Sequence, residues 1–254
     1  MNFHKDMLSA LALSLVCFFE CSVSAHAGTP MSDRVAVEAG VQTEITKDLA
    51  QTYRPLESLS GRTCLDGRPV DGFRGDVVEY WANLECSYCG VQDVLQVQRT
   101  HPDLCIVVRH IPSDEYGESL KKALSYEALH TFSVNAAHQF WASVTPKTSL
   151  GIPLPYEAAL QTALQDATIA QEAFAEALQK AAPLVSADIL AAQSRISSTP
   201  TFVLDGIRFP ACDFKAAELP TALELAKKAR ADDEQAKTDS IGIITRGLLN
   251  EPLL

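Results

Sequence analysis

The feature that most constrains this chain is a Cys-Ser-Tyr-Cys sequence at positions 86–89, which follows an apolar run and precedes a stretch with helical spacing. The apolar run predicts a strand over 76–82, and the later spacing predicts a helix that starts at the cysteines and continues to about Thr100. We expect Cys86 at the helix N-terminus, where unpaired backbone N–H groups and the helix dipole stabilise a thiolate. Cys89 would lie one turn inside the helix. Such a pair indicates a redox motif or half of a metal site.

Length and charge narrow the class of protein further. A chain of 254 residues is long enough for one large domain or for a domain with an insertion. Its formal net charge of −11 argues against nucleic-acid binding, which usually needs a basic face.

The first residues have the pattern of a secretory signal. Lys5 precedes an apolar segment over 8–19, and small residues flank His26 at the positions that a signal peptidase recognises. We therefore predict a signal peptide over 1–27, cleaved after Ala27; the alternative is an uncleaved N-terminal anchor. Export would place the chain where disulfides persist. Five cysteines follow the cleavage point, so at least one is not paired within the chain.

The remaining chain divides into an N-terminal arm, a helical block and two strand-rich parts. Apolar residues at every fourth position predict a helix within 28–60, which either packs on its own domain or serves as an oligomerisation arm. Helical spacing fills 113–196, with one helix predicted to stop near Pro183 and another to follow it.

One further strand, a hairpin and a closing helix complete the pattern. The run 104–110 is short, apolar and rich in β-branched residues, which predicts a strand parallel to the first one. Asp205-Gly206 between two apolar runs predicts a hairpin. A closing helix is expected to end near Lys237, before an apolar tail over 239–254.

The order of these elements resembles the DsbA/DsbC/DsbG superfamily of exported thiol–disulfide oxidoreductases. The residues that carry the resemblance are Val-Glu-Tyr-Trp at 78–81, Cys-Ser-Tyr-Cys at 86–89 and Ser-Thr-Pro-Thr-Phe-Val-Leu-Asp-Gly at 198–206. The resemblance implies an α/β, thioredoxin-like fold formed by 61–112 and 197–238, with an inserted helical domain over 113–196.

The resemblance also implies roles for individual residues. Cys86 is expected to be the nucleophile, and Cys89 is expected to resolve the mixed disulfide. Pro200 would be a cis-proline facing the pair, and the loop that holds it would bind an extended substrate chain. Thr199 and Tyr88 would contact that substrate.

One position departs from the family pattern. Relatives usually carry an acidic residue six positions before the first cysteine, whereas Glu79 lies seven positions before Cys86, as if one residue were inserted within 82–84. Glu79 is a candidate proton acceptor for Cys89. The alternative is an edge-facing strand residue.

The same fold suggests a second disulfide. In a thioredoxin sheet the strand that contains Cys105 neighbours the first edge strand, so Cys64 and Cys105 are candidates for a structural bridge. Cys212 would then be unpaired; the alternative for Cys105 is a free buried thiol.

The activity that this resemblance implies is the formation or reshuffling of disulfides in periplasmic or secreted proteins, without a cofactor. Thr199 and Tyr88 are more typical of DsbC and DsbG, which favours isomerase or reductase work over oxidation. Its partners would be cysteine-containing proteins and a membrane redox protein of the DsbB or DsbD type, with the oligomeric state left open. The alternatives are a disulfide-dependent assembly factor for a narrow set of clients and a CxxC metal-binding protein.

Three histidines are candidates for metal ligands. His110, His130 and His138 are scattered along the sequence without a His-x-x-x-His spacing. We expect hydrogen-bonded or surface histidines rather than a metal site.

Overall fold

The computed structural model describes residues 59–114, 117–146, 152–193, 196–210 and 216–249. The predicted signal peptide, almost all of the 28–60 arm, Cys212 and the last residues of the tail lie outside this part of the chain.

The described chain forms one four-stranded sheet with helices between and after its strands. The strands are β1 (Asp76–Ala82), β2 (Leu104–His110), β3 (Thr201–Leu204) and β4 (Ile207–Pro210). The helices are α1 (Val91–Thr100), α2 (Glu118–Phe132), α3 (Val134–Val144), α4 (Tyr156–Asp166), α5 (Gln171–Ala192) and α6 (Leu219–Leu249).

The sheet has the order β2-β1-β3-β4, so β1 is an interior strand. β1 pairs in parallel with β2, and α1 is the helix that connects them. β3 is antiparallel to both β1 and β4, and the turn between β3 and β4 has positive φ angles at Asp205 and Gly206, as a tight two-residue hairpin requires. Together with α2–α5 between β2 and β3, this is the predicted thioredoxin-like fold with inserted helices.

Alternating side chains of β1 enter two different cores. Val78, Tyr80 and Ala82 belong to the main core, which also contains Cys89 and the buried residues of α1 and α3. Trp81 lies on the other face and packs against Ala191 and its neighbour on α5. Successive residues of a strand point to opposite faces, so each position of β1 is committed to one core.

Two helix boundaries differ from the sequence prediction. α5 is one continuous helix with Pro183 inside it, where the sequence predicted a break and a second helix. Pro183 and Gln179, whose carbonyl loses its helical partner, both lie on the exposed side, so water can satisfy that carbonyl. The closing helix α6 continues past Lys237 to Leu249.

Candidate active site

The two cysteines lie in a turn that immediately precedes α1, rather than within the helix as the sequence predicted. The helix begins at Val91, after Gly90 at its N-cap. The Cys86 N–H donates to the Asn83 carbonyl at 3.0 Å, and the Cys89 N–H donates to the Cys86 carbonyl at 3.0 Å. Both cysteines are therefore held by successive backbone turns.

The chain before β3 passes directly over Cys86. The Thr199–Pro200 peptide bond is cis, and the Cys86 thiol donates to the Thr199 carbonyl oxygen at 3.3 Å. The predicted site residues Cys86 and Thr199, which lie 113 positions apart in the sequence, are thus in contact at the Cys86 sulfur. Pro200 is buried, and Thr199 is half-buried beside it.

Hydrogen bonds make Cys86 acidic. The bond from the Cys89 thiol is the largest influence; burial opposes it, and further bonds come from the Tyr88 N–H, the Thr199 side chain and the Cys89 N–H. Together they lower the pKa of Cys86 from 9.0 to about 6. Cys86 is therefore largely a thiolate at neutral pH, which is the reactive form in disulfide exchange.

Cys89 has the opposite character. Its side chain is fully buried, and burial together with the nearby Cys86 sulfur raises the pKa of Cys89 far above its ordinary value. Hydrogen bonds from the Asn83 backbone and the Thr199 side chain oppose this change. The pair thus combines an accessible thiolate with a buried thiol.

Tyr88 is the exposed member of the motif. Its side chain is 70% exposed, although its backbone N–H lies against Cys86 and lowers the pKa of that thiol. A large aromatic ring in solvent beside the reactive sulfur is available to contact a bound chain.

Glu79 does not lie beside Cys89, contrary to one of the two interpretations of the sequence. It is on the same face of β1 as Trp81, where the Arg109 side chain donates to it at 2.9 Å. The other interpretation, an edge-facing residue, is also wrong because β1 is interior. Burial raises the pKa of Glu79 to about 7 despite the charge of Arg109.

Glu79 belongs to a buried network of charges. Asp188 of α5 is completely buried and accepts hydrogen bonds from the side chains of Arg62 and Arg109. It also accepts from the His110 backbone N–H at 2.9 Å. This network joins α5 to the neighbouring strands β1 and β2, on the face of β1 opposite Tyr80.

Tyr80 is a residue of the site that the sequence analysis did not identify, and it occupies the position where relatives usually carry the acidic residue. It lies six positions before Cys86, is almost completely buried, and stacks on Phe202 with 4.8 Å between ring centroids. Burial and the charges of Cys89 and Cys86 raise its pKa well above the ordinary value, and Tyr80 shares the main core with Cys89. The spacing of six residues between Tyr80 and Cys86 is the feature of the sequence that could have identified it.

The other two described cysteines form a disulfide. Cys64 and Cys105 are bonded with 5.1 Å between their Cα atoms, and both are completely buried. Cys105 is on β2, at the edge of the sheet, and Cys64 lies in the loop whose next residue, Leu65, donates to the Ile106 carbonyl at 2.7 Å. The bridge therefore fastens this loop to the sheet.

The fold brings the three histidines together, although their spacing in the sequence does not indicate it. All three lie around Tyr126 in the buried helical core, and the rings of His130 and His138 are 6.0 Å apart. His110 contacts Glu127 at 2.8 Å, while burial and the charge of His130 lower the pKa of His138 to about 4. Within the described residues, no cluster of three or more His, Cys, Asp or Glu is arranged to hold a metal ion.

Comparison with known proteins gives matches among solved structures. They include the thiol-disulfide exchange protein α-DsbA2 from Wolbachia pipientis, with 14% identity over 79% of this chain and 99% of that one and a TM-score of 0.44. BdbD from Bacillus subtilis matches with 19% identity over 66% of this chain and 97% of that one and a TM-score of 0.47. ScsC from Proteus mirabilis matches with 16% identity over 78% and 92% and a TM-score of 0.43.

No family model and no curated protein matches the chain. None of the helices in the described segments combines the length and the apolar character that crossing a membrane requires.

Proposed function

We propose that the chain is a thiol–disulfide oxidoreductase that uses Cys86 as nucleophile and Cys89 as resolving thiol. The observation that carries the proposal is the opposite acidity of two neighbouring sulfurs beneath a cis-proline loop. An inert structural bridge would need neither a thiolate nor a partner segment above it.

The reaction follows from this asymmetry. The Cys86 thiolate attacks one sulfur of a substrate disulfide, so that a mixed disulfide forms and the other substrate sulfur leaves as a thiolate. Cys89 then attacks the Cys86 sulfur, and the first substrate sulfur departs with the proton that Cys89 loses. The substrate disulfide is reduced to two thiols while Cys86 and Cys89 become a disulfide; the reverse sequence oxidises a dithiol substrate.

The substrate class is a protein segment that presents a cysteine in an extended conformation. The Thr199 carbonyl, next to Pro200, lies against the Cys86 sulfur, and the exposed ring of Tyr88 belongs to the same motif as that sulfur. We expect Tyr88, Thr199 and Pro200 to contact the chain whose sulfur approaches Cys86.

The compartment proposed is the periplasm, after removal of residues 1–27. The buried Cys64–Cys105 bridge supports an oxidising environment, because disulfides are rare in reducing compartments. A membrane redox protein of the DsbB or DsbD type would then restore the Cys86–Cys89 pair after each turnover.

Within this class we propose isomerase or reductase work in preference to oxidation. Thr199 before the proline and Tyr88 in the motif are the residues that favour this choice. The pKa of about 6 at Cys86 adds to it. That value lies between about 7 for thioredoxin, a reductant, and about 3.5 for DsbA, a strong oxidant.

The test is refolding of three probes by the purified chain: scrambled ribonuclease in a glutathione buffer, reduced ribonuclease, and insulin with a reductant. We expect faster recovery of the scrambled protein and reduction of insulin, both abolished by Cys86→Ala. Cys89→Ala should accumulate a mixed disulfide with the probe, visible on a non-reducing gel. Full activity of Cys86→Ala would refute the assignment, and oxidation of reduced ribonuclease alone would make the chain an oxidase.

A further inference from the structure

The turn that carries the cysteines is organised by Asn83, a residue with no role in the exchange reaction itself. Its carbonyl oxygen accepts from the Cys86 N–H at 3.0 Å. Its own backbone N–H is hydrogen-bonded to the Cys89 sulfur and lowers the pKa of that thiol against the effect of burial. One residue thus contacts both cysteines through its main chain.

The side chain of Asn83 fixes the geometry of this main chain. Its Oδ1 atom accepts from the Glu85 N–H at 2.9 Å, which closes an Asx turn over the residues just before Cys86. The same Oδ1 accepts from the Ser119 hydroxyl at 3.1 Å. Ser119 is almost completely buried at the start of α2, and its oxygen in turn accepts from the Ser113 N–H at 2.9 Å.

A second tie joins the same turn to the same helix. The Glu85 carboxylate accepts from Lys122 of α2 at 2.9 Å and from the Ser113 hydroxyl at 2.9 Å. Burial alone would raise the pKa of Glu85, but these hydrogen bonds and the lysine charge lower it, so Glu85 is ionised at neutral pH. Both polar side chains between β1 and Cys86 are therefore bound to the inserted helices.

We propose that Asn83 is a positioning residue for the Cys86–Cys89 pair, and that Ser119 and Lys122 of the inserted helix α2 hold it in place. The proposal rests on the proposed function and adds that the inserted helical domain sets the chemistry of the cysteines. The apparent one-residue insertion in the sequence lies in 82–84, which is the segment that α2 holds.

The physical consequence concerns the reduced pair. The Asn83 N–H supports the Cys89 sulfur in the reduced state, and the turn aligns the N–H groups that face Cys86. Loosening the turn weakens these bonds, so the reduced state becomes less favourable and the Cys86 thiolate less stable. Both effects act without removing any group that touches a substrate.

The test uses three single variants of the purified chain. Asn83→Ala removes both side-chain bonds of Asn83. Ser119→Ala removes the bond from α2 to Asn83 together with the bond from the Ser113 N–H, while Lys122 of α2 still binds Glu85. Ser125→Ala is the matched control: Ser125 is a completely buried serine on the same helix, and its hydroxyl bonds Tyr156 at 2.9 Å instead of the turn.

Two measurements separate positioning from stability. The equilibrium of the cysteine pair with glutathione should shift toward the disulfide about tenfold in Asn83→Ala and about threefold in Ser119→Ala, as expected for one to two neutral hydrogen bonds. The pKa of Cys86, followed by thiolate absorbance, should rise in the same order. Ser125→Ala should lower the melting temperature and leave both thiol properties unchanged.

Either of two results would overturn the proposal. One is a folded Asn83→Ala protein whose glutathione equilibrium and Cys86 pKa equal those of the wild type. The other is a change in Ser125→Ala as large as that in Ser119→Ala, which would trace the effect to the general stability of α2. A wild-type chain that fails to exchange disulfides would instead contradict the proposed function, since neither measurement depends on turnover.

Discussion

Thr199→Val removes the Thr199 hydroxyl with little change of shape, and with it one of the hydrogen bonds that lower the pKa of Cys86. Four hydrogen bonds, opposed by burial, lower the pKa of Cys86 from 9.0 to about 6. Because the four bonds also offset the effect of burial, together they lower the pKa by somewhat more than the net three units, which is about one unit for each bond. We therefore expect the pKa of Cys86 to rise to about 7 in the variant.

The expected effect of Thr199→Val on the reaction rate of Cys86 changes sign with pH. Far below both pKa values the variant has about a tenfold smaller thiolate fraction, but each thiolate is about threefold more nucleophilic because reactivity rises with basicity. Alkylation of Cys86 should therefore be about threefold slower near pH 5 and about threefold faster near pH 9, with the two curves crossing near pH 6.5. A steric defect would slow the reaction at every pH.

The measurement is the rate of iodoacetamide modification of the reduced protein between pH 5 and pH 9, with mass spectrometry to assign the label to Cys86. Thr201→Val is the matched control, because the Thr201 hydroxyl donates to the Ser198 carbonyl at 2.8 Å in the same loop. Its profile should follow the wild type. A Thr199→Val profile that never crosses the wild-type curve would refute the hydrogen-bond account of the acidity.

Three further predictions concern stability, measured by urea unfolding. Asp188→Ala removes the carboxylate shared by two buried arginines and should cost about 3–5 kcal/mol, more than Asp188→Asn, which keeps the shape and part of the bonding. Because the pKa of Glu79 is raised to about 7, the folded state binds the Glu79 proton more tightly than the unfolded state does. The free energy of unfolding should therefore fall by at most about 3 kcal/mol as the pH rises from about 4.5 through 7. Glu79→Gln should flatten the dependence of this free energy on pH over that range. Replacing Cys64 and Cys105 together by alanine should cost about 2–5 kcal/mol while insulin reduction persists, since the bridge lies in a different buried cluster from Cys86 and Cys89. Loss of exchange in a folded double variant would contradict this separation.

Local patterns account for the parts of the fold that the sequence predicted. The strands β1 and β2 are continuous apolar runs, and Asp205-Gly206 supplies the positive φ angles of the hairpin. Each of these signals is contained in a few neighbouring residues. The continuous helix through Pro183 was not predicted because its tolerance depends on solvent exposure, which the tertiary structure determines.

The position of Glu79 shows what a one-residue offset does in a strand. Side chains alternate between faces, so a residue seven positions before Cys86 cannot replace one at six without changing face. The spacing was visible in the sequence, but the network that binds Glu79 comes from Arg109 and Asp188, which are far away along the chain. The three histidines around Tyr126 could not be predicted to lie together for the same reason, since contacts between residues far apart in the sequence bring them there.

The buried charged network and the cysteine pair therefore lie on opposite faces of β1. The network around Asp188 holds the Glu79 carboxylate on one face, and the other face presents Tyr80 to the buried Cys89. A tyrosine whose pKa is raised cannot take a proton from Cys89 at neutral pH, although its hydroxyl can donate to a sulfur. In the proposed reaction the proton of Cys89 passes to the departing substrate sulfur, so we expect the resolving step to depend on the acidity of that sulfur rather than on the titration of Glu79.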